Sequence, residues 1–177
     1  MARMERKNFV NLTGAALVVL GAKRASAQEP SQQAAERWKK MHQAWVESLM
    51  AGLDANVDEP TRTKTMLSMG RACARRSGVL REAQAAQGDV DKMVANLARH
   101  VGKENCRREG NVVHLRYPKC YCPIVGEGPE RLSNTWCNCS RGWVHEVFET
   151  VTGKPVQVQL THSIKRGDPD CRFVVRL

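Results

Sequence analysis

Aromatic side chains are scarce in this sequence of 177 residues, which has four Trp, three Phe and two Tyr. The net charge of +10 would suit a nucleic-acid partner, but such proteins also need aromatic rings on which bases stack. Residues 1–27 carry +4 of that charge, from five basic residues and one acidic residue, so residues 28–177 keep only +6, spread along the chain. The composition therefore argues against nucleic acid and leaves a small molecule or a metal ion as the partner.

Long hydrophobic runs are also lacking. The longest uncharged apolar stretch, from Phe9 to Ala22, is shorter than the ~20 residues that span a bilayer. Basic residues precede it, and the small-x-small string Ala25-Ser26-Ala27 follows it. This order is typical of a cleavable export signal rather than of a membrane anchor. We therefore expect residues 1–27 to be removed and the protein to be exported, to the periplasm in a bacterium.

The export route is left open by the residues around the basic pair. The string Glu5-Arg6-Lys7-Asn8-Phe9-Val10 resembles the twin-arginine pattern, with Lys7 in the place of the second Arg. The twin-arginine route, which carries folded proteins, and the general secretory route both remain compatible with this segment.

No linker rich in Pro, Gly or Ser divides residues 28–177, so we expect a single domain of ordinary size. The first half of this domain is predicted to be helical. Apolar residues at spacings of three and four predict helices over about 31–53 and 61–77, and residues 79–87 are predicted to be helix or loop. The stripe of the first helix contains Trp38 and Trp45, which are therefore expected in the core. A further helix is expected after Asp89, as N-cap, up to Gly102.

The second half reads as β, α, β, β. Residues 111–117 alternate as a strand, and a long connection over 118–139 follows. A helix over about 140–152 is expected between Ser140 and Gly153, and two more strands surround the turn Gly167–Asp170. The sequence thus predicts an α+β fold, with a helical N-terminal half followed by an antiparallel sheet on which a helix packs.

Seven cysteines make the domain cysteine-rich, and four of them form two Cys-x-Cys pairs. Cys120 and Cys122 form one pair, and Cys137 and Cys139 form the other. Four thiolates are a ligand set for zinc or for an iron–sulfur cluster. We therefore expect these four residues as candidate metal ligands.

Two other interpretations of the cysteines stand beside the metal site. In an oxidising compartment six of the seven cysteines could pair as disulfides. Cys73 or Cys171, which lie outside the pairs, could instead act as a catalytic nucleophile or be plain buried thiols.

A family resemblance can be stated for residues 105–177. Its motifs are Trp136-Cys137-Asn138-Cys139-Ser140-x-Gly142-Trp143, then Phe148 to Val156, then Ser163-Ile164-x-x-Gly167-Asp168-x-x-Cys171-x-Phe173. This string resembles uncharacterised bacterial proteins, some with twin-arginine signals, whose pattern is similar to the 4-vinyl reductase domain and more distantly to the L-2-amino-thiazoline-4-carboxylic acid hydrolase family. The resemblance implies a pocket for small, often hydrophobic molecules between helices and sheet. It implies no reaction.

Three functions are therefore expected from the sequence. The first is an exported domain that binds a small ligand, or a metal at the two Cys-x-Cys pairs. The second is a thiol-dependent hydrolase or oxidoreductase using Cys73 or Cys171, and the third is a disulfide-stapled interaction module.

Overall fold

The computed structural model describes residues 31–126, 128 and 131–177. The predicted export signal lies outside these residues. Within them, four helices precede the sheet: α1 (Gln32–Asn56), α2 (Glu59–Arg76), α3 (Gly78–Ala85) and α4 (Val90–Val101). Strands β1 (Cys106–Glu109) and β2 (Val112–Tyr117) follow, then α5 (Asn138–Thr152), β3 (Gln157–His162) and β4 (Cys171–Arg176).

The helix ends follow local capping chemistry. The side chain of Asp89 accepts a hydrogen bond from the Lys92 N–H at 2.9 Å, and α4 ends at Gly102, whose φ is 101°. Gly153 ends α5 in the left-handed conformation with φ 66°. The expected boundaries at these three residues are confirmed.

Two expected helix starts are wrong by two residues. α2 begins at Glu59, not 61, because Asp58 caps it and Pro60 fits its first turn, where no N–H partner is needed. α5 begins at Asn138, and Ser140 is not its cap. The turn before α5 already has helix-like hydrogen bonds, such as the one from the Cys139 N–H to the Trp136 carbonyl at 3.0 Å. The helix therefore begins before Ser140.

The strands form one antiparallel sheet in the order β1-β2-β4-β3. Its edge strand β1 was not predicted, because only Cys106 in it is buried and the following Arg107, Arg108 and Glu109 are exposed. β1 is paired with β2 through a hairpin that turns at Gly110, with φ 59°. The α+β class, with a helix packed on an antiparallel sheet, is confirmed.

Two hydrophobic clusters make up the core. The larger one joins α3, α4 and α5 to one face of the sheet, and Phe148 of α5 and Phe173 of β4 are among its fully buried members. The smaller one joins α1 and α2 to the segment before α5, through Met50, Met66 and Trp136. α5 therefore lies between the sheet and α2.

The expected inward stripe of α1 is wrong. Trp38 and Trp45 were expected in the core, but they are 57% and 64% exposed, and Met41 is 50% exposed. α1 instead buries Val46 and Met50.

None of the described helices is both long enough and apolar enough to cross a membrane.

Candidate functional site: a cysteine-lined cavity

A cavity of about 380 Å³ lies between α2, the start of α5, the sheet and the segment that follows β2. Six of the seven cysteines line it: Cys73, Cys120, Cys122, Cys137, Cys139 and Cys171. The rest of the wall is mainly apolar or aromatic and includes Val79, Leu97, Val101, Tyr117, Tyr121, Trp136, Trp143, Leu160 and Phe173. The structure thus brings together the four candidate metal ligands and both candidate nucleophiles.

The six cysteines reach the cavity from four parts of the chain. Cys73 is exposed on α2, near its C-terminal end, and Cys171 is the first residue of β4. Cys120 and Cys122 lie in the segment after β2, and Cys137 and Cys139 lie at the start of α5. Within each Cys-x-Cys pair the two cysteines are close because only one residue separates them. The two pairs come together only through the fold.

All seven cysteines are free thiols in this structure. Their arrangement crosses the two sequence pairs. After burial, which is the largest cause, charge effects of Cys122, Cys73 and Cys137 raise the pKa of Cys139, and those of Cys171 and Cys120 raise the pKa of Cys137. Thiols from separate parts of the chain therefore influence one another in the cavity wall.

Burial keeps these thiols protonated. Mainly through desolvation, it raises the pKa of Cys137 to about 11 and that of Cys139 to about 12. The Ser163 hydroxyl donates to the Cys137 sulfur at 2.8 Å and offsets part of the increase. Burial also raises the pKa of Cys171, although the Ile164 N–H donates to its sulfur at 3.4 Å. Neutral thiols behave as small hydrophobic groups, so the wall is more apolar than its cysteine content suggests.

The turn that the sequence singled out holds Cys171 in position. Asp170, only 1% exposed, accepts hydrogen bonds from the Nε atoms of Arg172 at 2.8 Å and Arg116 at 2.6 Å. These guanidinium groups, Arg172 first, hold the pKa of Asp170 below its usual value. In the same turn Asp168 accepts from the Ser163 N–H at 2.7 Å. This network fixes the loop between β3 and β4 against the cavity.

A second charged network joins the two helices that flank the cavity. Arg71 of α2 donates to Glu149 of α5 at 3.1 Å and to Glu146 at 3.2 Å. His145 lies one helical turn before Glu149, and its Nδ1 is 3.6 Å from the Glu149 Oε1. Desolvation lowers the pKa of His145, which favours the neutral ring.

Several wall residues had no signal in the sequence. Lys165, 4% exposed, lies in the short helical turn Ile164–Arg166 and lines the cavity, although a lysine there reads as solvated. Its ammonium group donates to the Gly126 carbonyl at 3.5 Å. Ser163 reaches this wall only through the hydrogen bond that its hydroxyl donates to the Cys137 sulfur. Lys165 reaches the cavity because the loop between β3 and β4 folds inward.

The metal prediction concerns Cys120, Cys122, Cys137 and Cys139. Across residues 31–126, 128 and 131–177, no three His, Cys, Asp or Glu side chains are arranged so that they could hold a metal ion. The donor chemistry nevertheless fits a soft ion, because thiolates are ligands that Zn²⁺ and iron–sulfur clusters take. The four-sulfur site therefore stays a prediction.

The fold and the cavity together define an α+β protein with a thiol-lined internal pocket. The chain belongs to a family of unknown function, DUF6144, whose profile matches residues 15–176. A search of curated proteins gave no match. Among the solved structures it is similar to the phenol-responsive sensory domain of the transcription activator PoxR with phenol, at 16% identity and a TM-score of 0.45, over 76% of this chain and 74% of that chain. These comparisons give no support to the resemblance to the 4-vinyl reductase domain or to the thiazoline hydrolase family.

Proposed function

We propose that this protein binds a small, largely apolar molecule in the cysteine-lined cavity, in the exported form that lacks residues 1–27. One observation carries the proposal: a cavity of about 380 Å³ with a mainly apolar wall lies inside a small domain. Pockets for small ligands are typically ~300–1,000 Å³ and are lined by apolar and aromatic side chains with few polar groups.

The chemistry of the wall favours an apolar ligand. The rings of Tyr117 and Phe173 pack in a tilted arrangement, with 5.0 Å between their centroids, and form part of the cavity wall on the sheet side. The raised pKa values of Cys137 and Cys139 keep their thiols neutral near pH 7. A charged or strongly polar ligand would lose more hydration here than these groups restore.

The first experiment uses the neutral fluorescent probe N-phenyl-1-naphthylamine with the chain from Gln28 onward. Binding in the cavity should raise its fluorescence with a Kd of ~1–10 µM, as expected for a non-cognate apolar ligand of this size. Cys73 is exposed on α2 and lines the cavity, so Cys73→Phe should fill its edge and weaken binding by about tenfold.

Ser68→Phe supplies the matched control. Ser68 is also exposed on α2 and is not part of the cavity wall. This variant should bind the probe like the parent chain. No fluorescence increase in the parent, or equal affinities for the parent and Cys73→Phe, would refute the proposal.

Soft-metal binding is the second candidate, with zinc or an iron–sulfur cluster at Cys120, Cys122, Cys137 and Cys139. The observation in its favour is that the two pairs face one cavity, with Cys122 influencing Cys139 and Cys120 influencing Cys137. A bound metal would hold these thiols as thiolates and tie the segment after β2 to the start of α5.

Metal and acid-labile sulfide analysis tests this candidate on protein purified from its own compartment. Cys137→Ser should remove the metal and lower the melting temperature together, since binding energy would be folding energy. Cys106→Ser is the control, because Cys106 lies on β1 and is the one cysteine absent from the cavity wall. Metal-free parent protein, or full metal content in Cys137→Ser, would exclude the site.

The remaining alternatives have less support. A hydrolase or oxidoreductase that uses Cys171 needs a thiolate, whereas burial raises the pKa of that thiol. Cys73 has only its exposure in its favour. The disulfide-stapled module requires bonds between cysteines, and all seven are free thiols in the structure.

A further inference from the structure

An exposed apolar surface lies on α1, none of whose residues belongs to the cavity wall. Along α1, Trp38, Met41, Trp45 and Leu49 are 57%, 50%, 64% and 37% exposed. Their spacings of three and four place them on one side of the helix, and we call this set the tryptophan stripe. Two largely exposed tryptophans on one helix face are unusual for a surface that meets only water.

The tryptophan stripe is separate from the side of α1 that joins the domain. The inward side carries Val46, Met50 and Leu53, which pack in the smaller core cluster. With about 100° between successive residues, that side is turned about a quarter of the way round the helix from the stripe. The stripe belongs to neither core cluster of the described residues, and it is therefore available to a partner.

Along α1, the charged residue nearest the tryptophan stripe is basic. Arg37 lies at one edge of the first half of the stripe, and its long side chain can reach the level of the apolar groups, whereas Lys40 lies on the far side of the helix. The exposed acidic residues Glu36 and Glu47 lie on the opposite side of the helix, at about 160–180° from the stripe. A partner that meets the stripe thus meets positive charge and avoids the acidic groups.

We infer that α1 docks on an anionic lipid surface through the tryptophan stripe. A helix that lies in the membrane interface has Trp and Leu on one face and Lys or Arg beside it, and anionic headgroups attract the basic groups. The +6 charge of residues 28–177 adds to that attraction. A second copy of the chain fits less well, because no acidic residue borders the stripe to pair with the partner's Arg37. This docking is independent of what fills the cavity.

The test is co-sedimentation of the chain from Gln28 onward, which contains both core clusters, with lipid vesicles. It should bind phosphatidylcholine vesicles containing about a quarter phosphatidylglycerol at least ~10-fold more tightly than pure phosphatidylcholine vesicles. Tryptophan emission should shift to the blue on binding. Raising the salt from ~0.05 M to ~0.5 M should weaken binding, because the headgroup attraction is screened.

Variants assign the effect to α1. The double variant Trp38→Gln/Trp45→Gln should lose at least ~10-fold in vesicle affinity, and Arg37→Glu should lose much of the preference for phosphatidylglycerol. The control Met69→Gln/Ile124→Gln removes two other exposed apolar side chains, which are 48% and 54% exposed, and should bind normally. Far-UV circular dichroism and melting temperatures confirm that each variant is folded.

Other outcomes overturn the inference. Absence of vesicle binding by the parent chain does so, and so does equal loss of binding in the control variant. Light scattering that shows a dimer, dissociated by Trp38→Gln/Trp45→Gln with no vesicle binding, would assign the stripe to self-association instead.

Discussion

At the scale of single residues, the thiols of the cavity differ most in exposure and protonation. Cys73 is exposed, whereas Cys137 is buried and its pKa is raised to about 11. The thiolate is the reactive form of cysteine, so burial and a raised pKa both lower the reactivity of Cys137. This difference lets each cysteine be followed separately by chemical labelling.

Alkylation with iodoacetamide at pH 8 should modify Cys73 first and Cys139 last. Cys139 has a pKa raised to about 12, so its thiolate fraction at pH 8 is ~10⁻⁴. Peptide mass spectrometry over time gives the order of modification. In guanidinium chloride the rates should converge, and a Cys139 that reacts as fast as Cys73 in the native protein would contradict its raised pKa.

Stability should fall in alkaline solution for the same reason. The folded pKa of Cys137 and Cys139 lies above the ordinary value of 9.0, so their contribution is complete below about pH 9 and is lost as the pH rises towards 11 to 12. Urea unfolding between pH 7.5 and 10.5 should show this decline. The double variant Cys137→Ser/Cys139→Ser should decline less, and identical profiles would argue against buried thiols.

At the scale of elements, the contact between α2 and α5 holds the cavity together, and two glycines make it close. A Cβ at Gly70 would overlap the carbonyl oxygen of Cys139, and a Cβ at Gly142 would overlap that of Leu67. Backbone cannot move aside as a flexible side chain can. The two helices therefore approach as closely as they do only because neither position carries a side chain.

Gly70→Ala and Gly142→Ala should each destabilise the fold by ~2–4 kcal/mol, although alanine is the better helix former. Gly52→Ala in α1 is the control, because nothing lies within 4 Å of its added Cβ. It should stabilise by ~0.5–1 kcal/mol. Urea denaturation measures all three, and a neutral Gly70→Ala would show that α2 and α5 are further apart than described.

At the scale of the whole molecule, the residues before Ser31 bear on the cellular compartment in which the domain functions. The apolar stretch from Phe9 to Ala22 and the string Ala25-Ser26-Ala27 predict removal of residues 1–27. The mass of the exported protein should correspond to a chain that starts at Gln28. Arg6→Gln/Lys7→Gln should block export by either route, whereas Arg6→Lys should impair only the twin-arginine route. A protein that retains residues 1–27 would refute cleavage.

The sequence by itself determined the elements that depend on local patterns. Asp89, Gly102 and Gly153 marked helix ends, and the alternation in β2 gave a strand with Val113 and Leu115 inward, because caps and side-chain periodicity are local properties. The same patterns gave the α+β class.

Only the tertiary structure decided which faces are buried and which cysteines meet. The apolar stripe of α1 looked like a core face, but the domain packs on the side with Val46 and Met50, because periodicity names an apolar face and not its partner. Cys73, the two Cys-x-Cys pairs and Cys171 share one cavity because α2, α5 and the loop before β4 converge, and such convergence depends on long-range packing that no spacing along the chain records.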